Sequence, residues 1–313
     1  MEINSKILVL GSTGMVGSSI VRKLKRIGFE NILTPTHDKL ELCSQDDVHK
    51  YFVKHEPEYI FMAAGYVGGI LANSAYPVEF LYRNTQMALN VIKNADFIDA
   101  KKCVYLGSSC IYPKNCLQPI KEEYLLSGYL EPTNEAYALA KITGLRFCQA
   151  YNKLYNEDRF IMAMPCSLYG IGDNFDALNC HMIPALMRRM HDAKVNGIDN
   201  IEIWGTGTPR REFMYVDDLS DALLYLISIN SNNNKIINVG TGIDYTILDI
   251  ASSIKRIVGY NGKFSFDISK PDGTYRKVLD TTKITELGWS PKTTFDEGLT
   301  KMYNWCITQE IFK

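Results

Sequence analysis

Residues 6–17, Lys6-Ile7-Leu8-Val9-Leu10-Gly11-Ser12-Thr13-Gly14-Met15-Val16-Gly17, decide the fold. A short apolar run of strand type enters a glycine-spaced turn, and a helical pattern from Met15 to Ile27 follows at once. Glycines at this spacing let the backbone turn tightly, approach a pyrophosphate closely and pack helix on strand, while the helix N-terminus supplies partial positive charge. Strand, turn and helix together make Gly11, Ser12, Thr13, Gly14, Met15, Val16 and Gly17 the expected seat of a dinucleotide rather than a plain glycine-rich turn.

The alternation continues outward from that seat. Ile32 to Thr34 precedes a helical pattern from Gln45 to His55, and Tyr59 to Met62 precedes one from Pro77 to Phe97. Then come the run Cys103 to Leu106, a loop-rich stretch from Cys110 to Asn134, a long helix from Glu135 to Asn156 and a strand from Arg159 to Met164. This order predicts an α/β chain: a Rossmann-type doubly wound parallel sheet over residues 1–165, with a smaller α/β lobe mainly over 166–313. Beyond Pro165 the periodicity is irregular, with Gly, Pro and Asn clusters at 169–174, 205–209 and 271–274. Segments near 214–242 are expected to return to the first lobe, and 230–235 (NSNNNK) reads as a polar connector. Without a flexible linker between lobes, the cleft between them is the expected site.

Charge and composition narrow the partners. Of 313 residues, 34 are basic and 35 acidic, so the net charge of −1 gives no reason to expect nucleic acid or an anionic membrane. The eight cysteines are scattered without a CxxC pair, which predicts free thiols in a reducing cytoplasm and no metal centre. The N-terminal residues lack the pattern of an export leader, and no apolar run reaches the length of a membrane span.

The second strand ends Leu33-Thr34-Pro35-Thr36-His37, without the carboxylate that bonds a ribose 2′-hydroxyl in NAD sites, so NADP(H) is expected, with His37 and Lys39 near a 2′-phosphate. Tyr137 and Lys141 lie four apart on one helix face, where the cation would favour the phenolate and lower the tyrosine pKa. Ser108 follows the strand Cys103 to Leu106 and completes a reductase triad at a strand's carboxyl end.

With GxxGxxG, Ser and YxxxK in this order, the chain resembles the extended short-chain dehydrogenase/reductase family. GMVGS (14–18), VGGILAN (67–73), GSSCIYPK (107–114), EPTNEAYALAK (131–141), WGTGTPRREF (204–213), NVGTG (238–242) and SKPDGTYRK (269–277) look like the GDP-L-fucose synthase branch of that family, over nearly the whole chain. The resemblance implies NADPH, a homodimer, and an oxidoreductase and isomerase acting on a GDP-linked 4-keto-6-deoxy sugar: epimerisation at C3 and C5, then reduction at C4. A ketone at C4 acidifies the hydrogens on both neighbouring carbons, so Cys110 as base and protonated His181 as acid could invert either centre through an enolate. Ser108 and Tyr137 would then hold the C4 oxygen, Tyr137 giving the proton and Lys141 holding the nicotinamide ribose. The resemblance also implies cofactor contacts at Leu106, Gly107, Pro165, Leu168 and His181, and substrate contacts at Arg189, Trp204, Arg211, Asp272 and Lys277.

The chain departs from the family at four places: Ser12-Thr13 replace a basic residue, His37 an arginine, Ala136 a proline and Tyr66 a lysine. A C4 reductase for a related GDP-4-keto-6-deoxy-heptose therefore stands as the alternative. A non-catalytic NADP(H)-sensing module is the remaining reading, and it predicts a damaged triad.

Overall fold

The structure, a computed structural model, describes residues 1–176, 180–229, 235–270 and 272–313, the side chain at 70 left aside. The connector at 230–234 and residue 271 of the 269–277 stretch lie outside the described residues.

In chain order the first lobe runs β1 (Ile7–Leu10), α1 (Met15–Arg26), β2 (Ile32–Leu33), α2 (Gln45–His55), β3 (Tyr59–Met62), α3 (Ile70–Ala75), α4 (Pro77–Phe97), β4 (Lys102–Leu106), α5 (Glu135–Tyr155) and β5 (Phe160–Pro165). There follow β6 (Ser167–Tyr169), α6 (Met182–Val195), β7 (Asn200–Trp204), β8 (Arg210–Tyr215), α7 (Val216–Ser228), β9 (Ile236–Val239), β10 (Asp244–Thr246), α8 (Ile247–Val258), β11 (Lys263–Asp267), β12 (Arg276–Lys277), α9 (Thr282–Glu286) and α10 (Phe295–Thr308). The strand expected from Arg159 begins one residue later, although the Arg159 carbonyl still accepts the Cys103 N–H at 2.8 Å; its guanidinium reaches Asp96, Asp99 and Glu157.

The main sheet has the order β2-β1-β3-β4-β5-β9, parallel throughout. Its inner strands are buried without alternation, as Ile7, Leu8, Val9 and Leu10 show, because helices cover both faces. One layer holds α1 packed on α7, and the other holds α2, α4 and α5. Ser19 of α1 is buried, so its hydroxyl must be satisfied, and it is: it donates to Asp217 Oδ1 at 2.6 Å and meets the Ser220 hydroxyl at 3.0 Å, which fastens α1 to α7. Chain order reverses between β1 and β3, the switch point at whose carboxyl ends open sheets of this kind bind ligands.

A second core gathers Ile183, Met187, Met190, Ile250, Ile254, Leu299 and Met302 from α6, α8 and α10. Around it lie β10-β8-β12, with β6 on β8, and the parallel pair β7–β11. Leu219 and Leu223 of α7 and Ile237 of β9 pack in the first core, as do Leu279, Ile284 and Trp289.

Candidate active site

The glycine turn is shaped for close approach. Gly11 has φ +78°, a conformation L side chains rarely adopt, and a Cβ there would stand 2.7 Å from the Ala64 nitrogen. A Cβ on Gly17 would stand 2.1 Å from the Gly11 oxygen, so α1 can sit this close to the turn only without a side chain. Gly14 caps α1 without a side-chain bond, and the first helical turn holds no acid, so the N-terminal amides are open to an anion. This cradle fits a dinucleotide pyrophosphate. At the end of β2, His37 is turned outward to Glu41 at 2.8 Å, and the nearby Asp38 carboxyl is held below its usual range first by the Thr36 side chain.

Ser108 and Cys110 stand where β4 ends. Ser108 Oγ accepts the Cys110 N–H at 3.2 Å, which leaves its hydroxyl proton free to donate outward. Tyr137 lies in the first turn of α5, its ring edge-on to Phe80. Lys141, one turn on and 5 % exposed, donates to the Leu106 carbonyl at 2.8 Å, with its nitrogen 5.7 Å from the Tyr137 ring centre. The expected lowering of the tyrosine pKa is not what this geometry gives. Burial pushes the Tyr137 phenol up and Cys110 adds to that, while burial pushes the Lys141 ammonium down to about 8. Lys141 gives its hydrogen bond to Leu106 rather than to the phenol, so Tyr137 in the chain alone is a proton donor and not a phenolate.

His181 caps α6, and the backbone just before it approaches the 65–69 loop: a Cβ on Gly69 would stand 3.8 Å from the Cys180 carbonyl. The expectation of a protonated His181 is also corrected. Its ring is reached by solvent, yet the surrounding protein desolvates it and lowers its pKa, which favours neutral imidazole in the chain alone. Gly107 is confined by Met164, whose sulfur would lie 2.2 Å from a Cβ there. Pro165 closes β5, and Leu168 lies in β6.

The substrate-side residues divide. Arg189 donates to the Glu202 carbonyl at 2.6 Å, and Trp204, 63 % exposed, carries the Lys270 nitrogen 5.7 Å above its ring. Burial lowers the Arg211 pKa while Asp272 opposes the shift. Asp272 accepts both the N–H (2.7 Å) and the hydroxyl (2.8 Å) of Thr206, so its carboxylate holds the 205–208 turn. Lys277 leaves this group: its ammonium lies 3.9 Å from the Cys110 sulfur.

Three residues escaped the sequence reading. Asn134 precedes α5, where it reads as a helix cap, yet its side chain makes no cap bond; Nδ2 donates to the Cys110 sulfur at 3.3 Å and Oδ1 is buried without a partner. Asn84 of α4 clamps the substrate-side loop, accepting the Tyr66 N–H and donating to the Tyr66 carbonyl, both at 2.9 Å. Tyr66 packs on Phe80 and under the Arg83 guanidinium. Glu212, 2 % exposed, accepts backbone N–H bonds from Thr241 (2.6 Å), Gly242 (2.8 Å) and Leu279 (2.8 Å). No group of His, Cys, Asp and Glu fit for a metal ion occurs among the described residues, and no helix there is long and apolar enough to cross a membrane.

A cradle for a dinucleotide beside a Ser, Tyr and Lys triad is the arrangement of a nicotinamide-dependent sugar enzyme, and a family model agrees: the NAD dependent epimerase/dehydratase family matches residues 7–240. The chain belongs to that family. Within it, a putative GDP-L-fucose synthase 2 of Arabidopsis thaliana is 48% identical over 100% of this chain and 95% of its own. A GDP-6-OMe-4-keto-L-xylo-heptose reductase of Campylobacter jejuni is 36% identical with a TM-score of 0.93, over 99% of both chains. A GDP-mannoheptose C4 reductase of the same organism, with NADP bound, is 37% identical with a TM-score of 0.90, over 97% of this chain and 99% of its own.

Proposed function

We propose that the chain is an NADPH-dependent GDP-sugar epimerase/reductase of GDP-L-fucose synthase type, acting on GDP-4-keto-6-deoxy-mannose. The observation that carries this reading is the place of Cys110 just past the end of β4, its N–H bonded to Ser108 Oγ at 3.2 Å and its sulfur held by Asn134, the residue that opens the helix of Tyr137. A reductase needs the pair alone; a thiol at the same place supplies a base for the carbons flanking the ketone.

Ser108 donates to the C4 oxygen and polarises the ketone. Cys110 takes a proton from C3 or C5, the C–H electron pair moves into an enolate, and His181, which caps α6 and is open to solvent, returns to the opposite face a proton it has taken up from water. Tyr137, a proton donor in this geometry, protonates the C4 oxygen in the reduction. NADPH supplies the hydride when bound; Gly11, Gly14 and Gly17 with the open end of α1 would hold its pyrophosphate, and Lys141, fixed by Leu106, its ribose. The stretch Leu33 to His37 that leaves β2 holds no carboxylate, and Asp38 beyond it is engaged by the Thr36 side chain, which supports NADP(H) over NAD. Arg189, Trp204 and Arg211 are proposed to take the GDP moiety, with Asp272 acting through the turn it holds. The intact Ser108, Tyr137 and Lys141 argue against a sensing module.

A second reading, reduction alone on a GDP-4-keto-6-deoxy-heptose, is favoured by Tyr66, whose ring against Phe80 and Arg83 replaces the family's lysine. We also propose a homodimer through α4 and α5. Val78, Leu81 and Tyr82 are exposed on one face of α4, and Leu139 and Leu154 on α5. A cytoplasmic location suits the eight free thiols.

The test is NMR product analysis in deuterated water with NADPH and GDP-4-keto-6-deoxy-mannose. Deuterium at C3 and C5 with GDP-L-fucose formed is expected. NADPH oxidation without deuterium makes the chain a plain C4 reductase, and no turnover overturns the choice of substrate.

A further inference from the structure

We infer that Lys277, together with Asn134, is a positioning residue that holds the Cys110 sulfur as a thiolate and so prepares the base of the epimerisation; the inference rests on the functional reading above. Two donors converge on this sulfur, Asn134 Nδ2 at 3.3 Å and Lys277 Nζ at 3.9 Å. A thiolate accepts from both and balances the ammonium, whereas a neutral thiol leaves the ammonium without a counter-charge.

The neighbourhood singles out Lys277. Two neighbouring cations are matched by carboxylates, Arg276 by Asp244 at 2.5 Å and Lys283 by Glu122 at 2.9 Å, while Arg211 gives a bond to the Arg210 carbonyl. The nearby Glu212 has its oxygens taken up by backbone N–H groups. Lys277 has no carboxylate partner among the described residues, and its ammonium also acts on the Cys116 and Cys166 thiols. Tyr137 from α5 is a further titratable group that feels Cys110.

The ammonium is delivered from a fixed backbone. Lys277 pairs with Arg211 of β8. The next two amides are held by Gln118 Oε1 at 2.9 Å and Glu212 Oε2 at 2.8 Å. A support held on both sides is what a preorganised site requires. In the step itself, the thiolate takes the carbon-bound proton as S–H and the C–H pair moves into the enolate, while Lys277 keeps its proton throughout.

The experiment is alkylation of the free full-length chain by iodoacetamide, read peptide by peptide, with the half-exposed Cys43 and Cys180 as internal references. Lys277→Met is expected to slow Cys110 alkylation at pH 7 by about tenfold relative to the references and to move its pH profile to the alkaline side. Lys277→Arg restores most of the rate, and Asn134→Ala shows a smaller loss. In the deuterium assay Lys277→Met loses exchange at C3 and C5 in proportion, with NADPH affinity unchanged. Should methionine not be accommodated, Lys277→Gln serves the same purpose. Unchanged Cys110 alkylation in a folded Lys277 variant, whatever happens to KM, overturns the inference and makes Lys277 a diphosphate ligand. Alkylation that depends on Lys277 in a chain that exchanges no deuterium upholds the positioning and sinks the epimerase reading instead.

Discussion

Gly17→Ala tests whether the cofactor seat depends on contact between helix and turn. The added Cβ would lie 2.1 Å from the Gly11 oxygen and 2.6 Å from its carbon. Both are backbone atoms, so no flexible side chain can give way. Real Cβ atoms essentially never stand closer than 3.0 Å and ordinary contact begins at 3.4 Å, so α1 must lift by about 1 Å. That movement loosens Ile20 and Leu24 from the core and strains the Ser19–Asp217 bond. Overpacking of this kind costs about 3 kcal/mol, at the upper end of the usual range, and for a chain of this size that lowers Tm by about 5 °C. The open amides move with the helix, and a misplacement of about 1 Å is worth about a hundredfold, here in NADPH affinity. Gly14→Ala is the control. Its Cβ would lie 3.5 Å from the Gly11 oxygen, an ordinary contact at φ −80°, so the ligand-free chain loses about 1 kcal/mol at most. Thermal melts and NADPH fluorescence titrations read both variants. A Gly17→Ala protein within about 2 °C and about twofold of the parent would refute the argument, since the close contact would then not be what seats α1.

Lys141→Met separates stability from activity. Burial lowers the folded-state pKa from 10.5 to about 8, so the unfolded chain binds the extra proton; the resulting penalty is fully present below about pH 8 and fades as pH rises towards 10.5. The variant should therefore melt no lower than the parent at pH 7, its advantage shrinking above pH 8, while turnover falls by about a hundredfold or more; a clearly lower Tm at pH 7 counts against the burial argument. Tyr137→Phe should leave Tm and NADPH affinity nearly unchanged and reduce kcat by about 10²- to 10⁴-fold, as expected for loss of a general acid; retained turnover would assign the proton to another group. Glu212→Gln turns an NH₂ group towards amides that now share a carboxylate, so a loss of about 2 kcal/mol in urea unfolding is expected. An unchanged midpoint would show that the three N–H bonds are replaceable.

What the sequence made legible was local. The strand, glycine turn and helix at 6–26 carry their own punctuation, and the alternating runs up to Met164 repeat it, so the parallel sheet could be read from periodicity. Distant meetings left no such trace. Lys277 reaches Cys110 across 167 residues and Glu212 reaches Leu279 across 67, and no spacing rule encodes either. Asn134 was hidden for another reason: its position before α5 is that of a cap, so the bland reading sufficed. The Tyr137–Lys141 spacing put both groups on one helix face, but spacing says nothing of desolvation, and desolvation dominates both.

The chain passes repeatedly between its two cores, as from Cys166 to Tyr169, Tyr215 to Leu219, Val239 to Ile250, Tyr260 to Leu279, and Trp289 to Phe295. A lobe stitched in this way is not a cassette that recombination at one joint can exchange. On the reading proposed above, a new sugar would be accommodated by substitutions near Tyr66 with Ser108, Tyr137 and Lys141 left in place, and a library for altered specificity would start there.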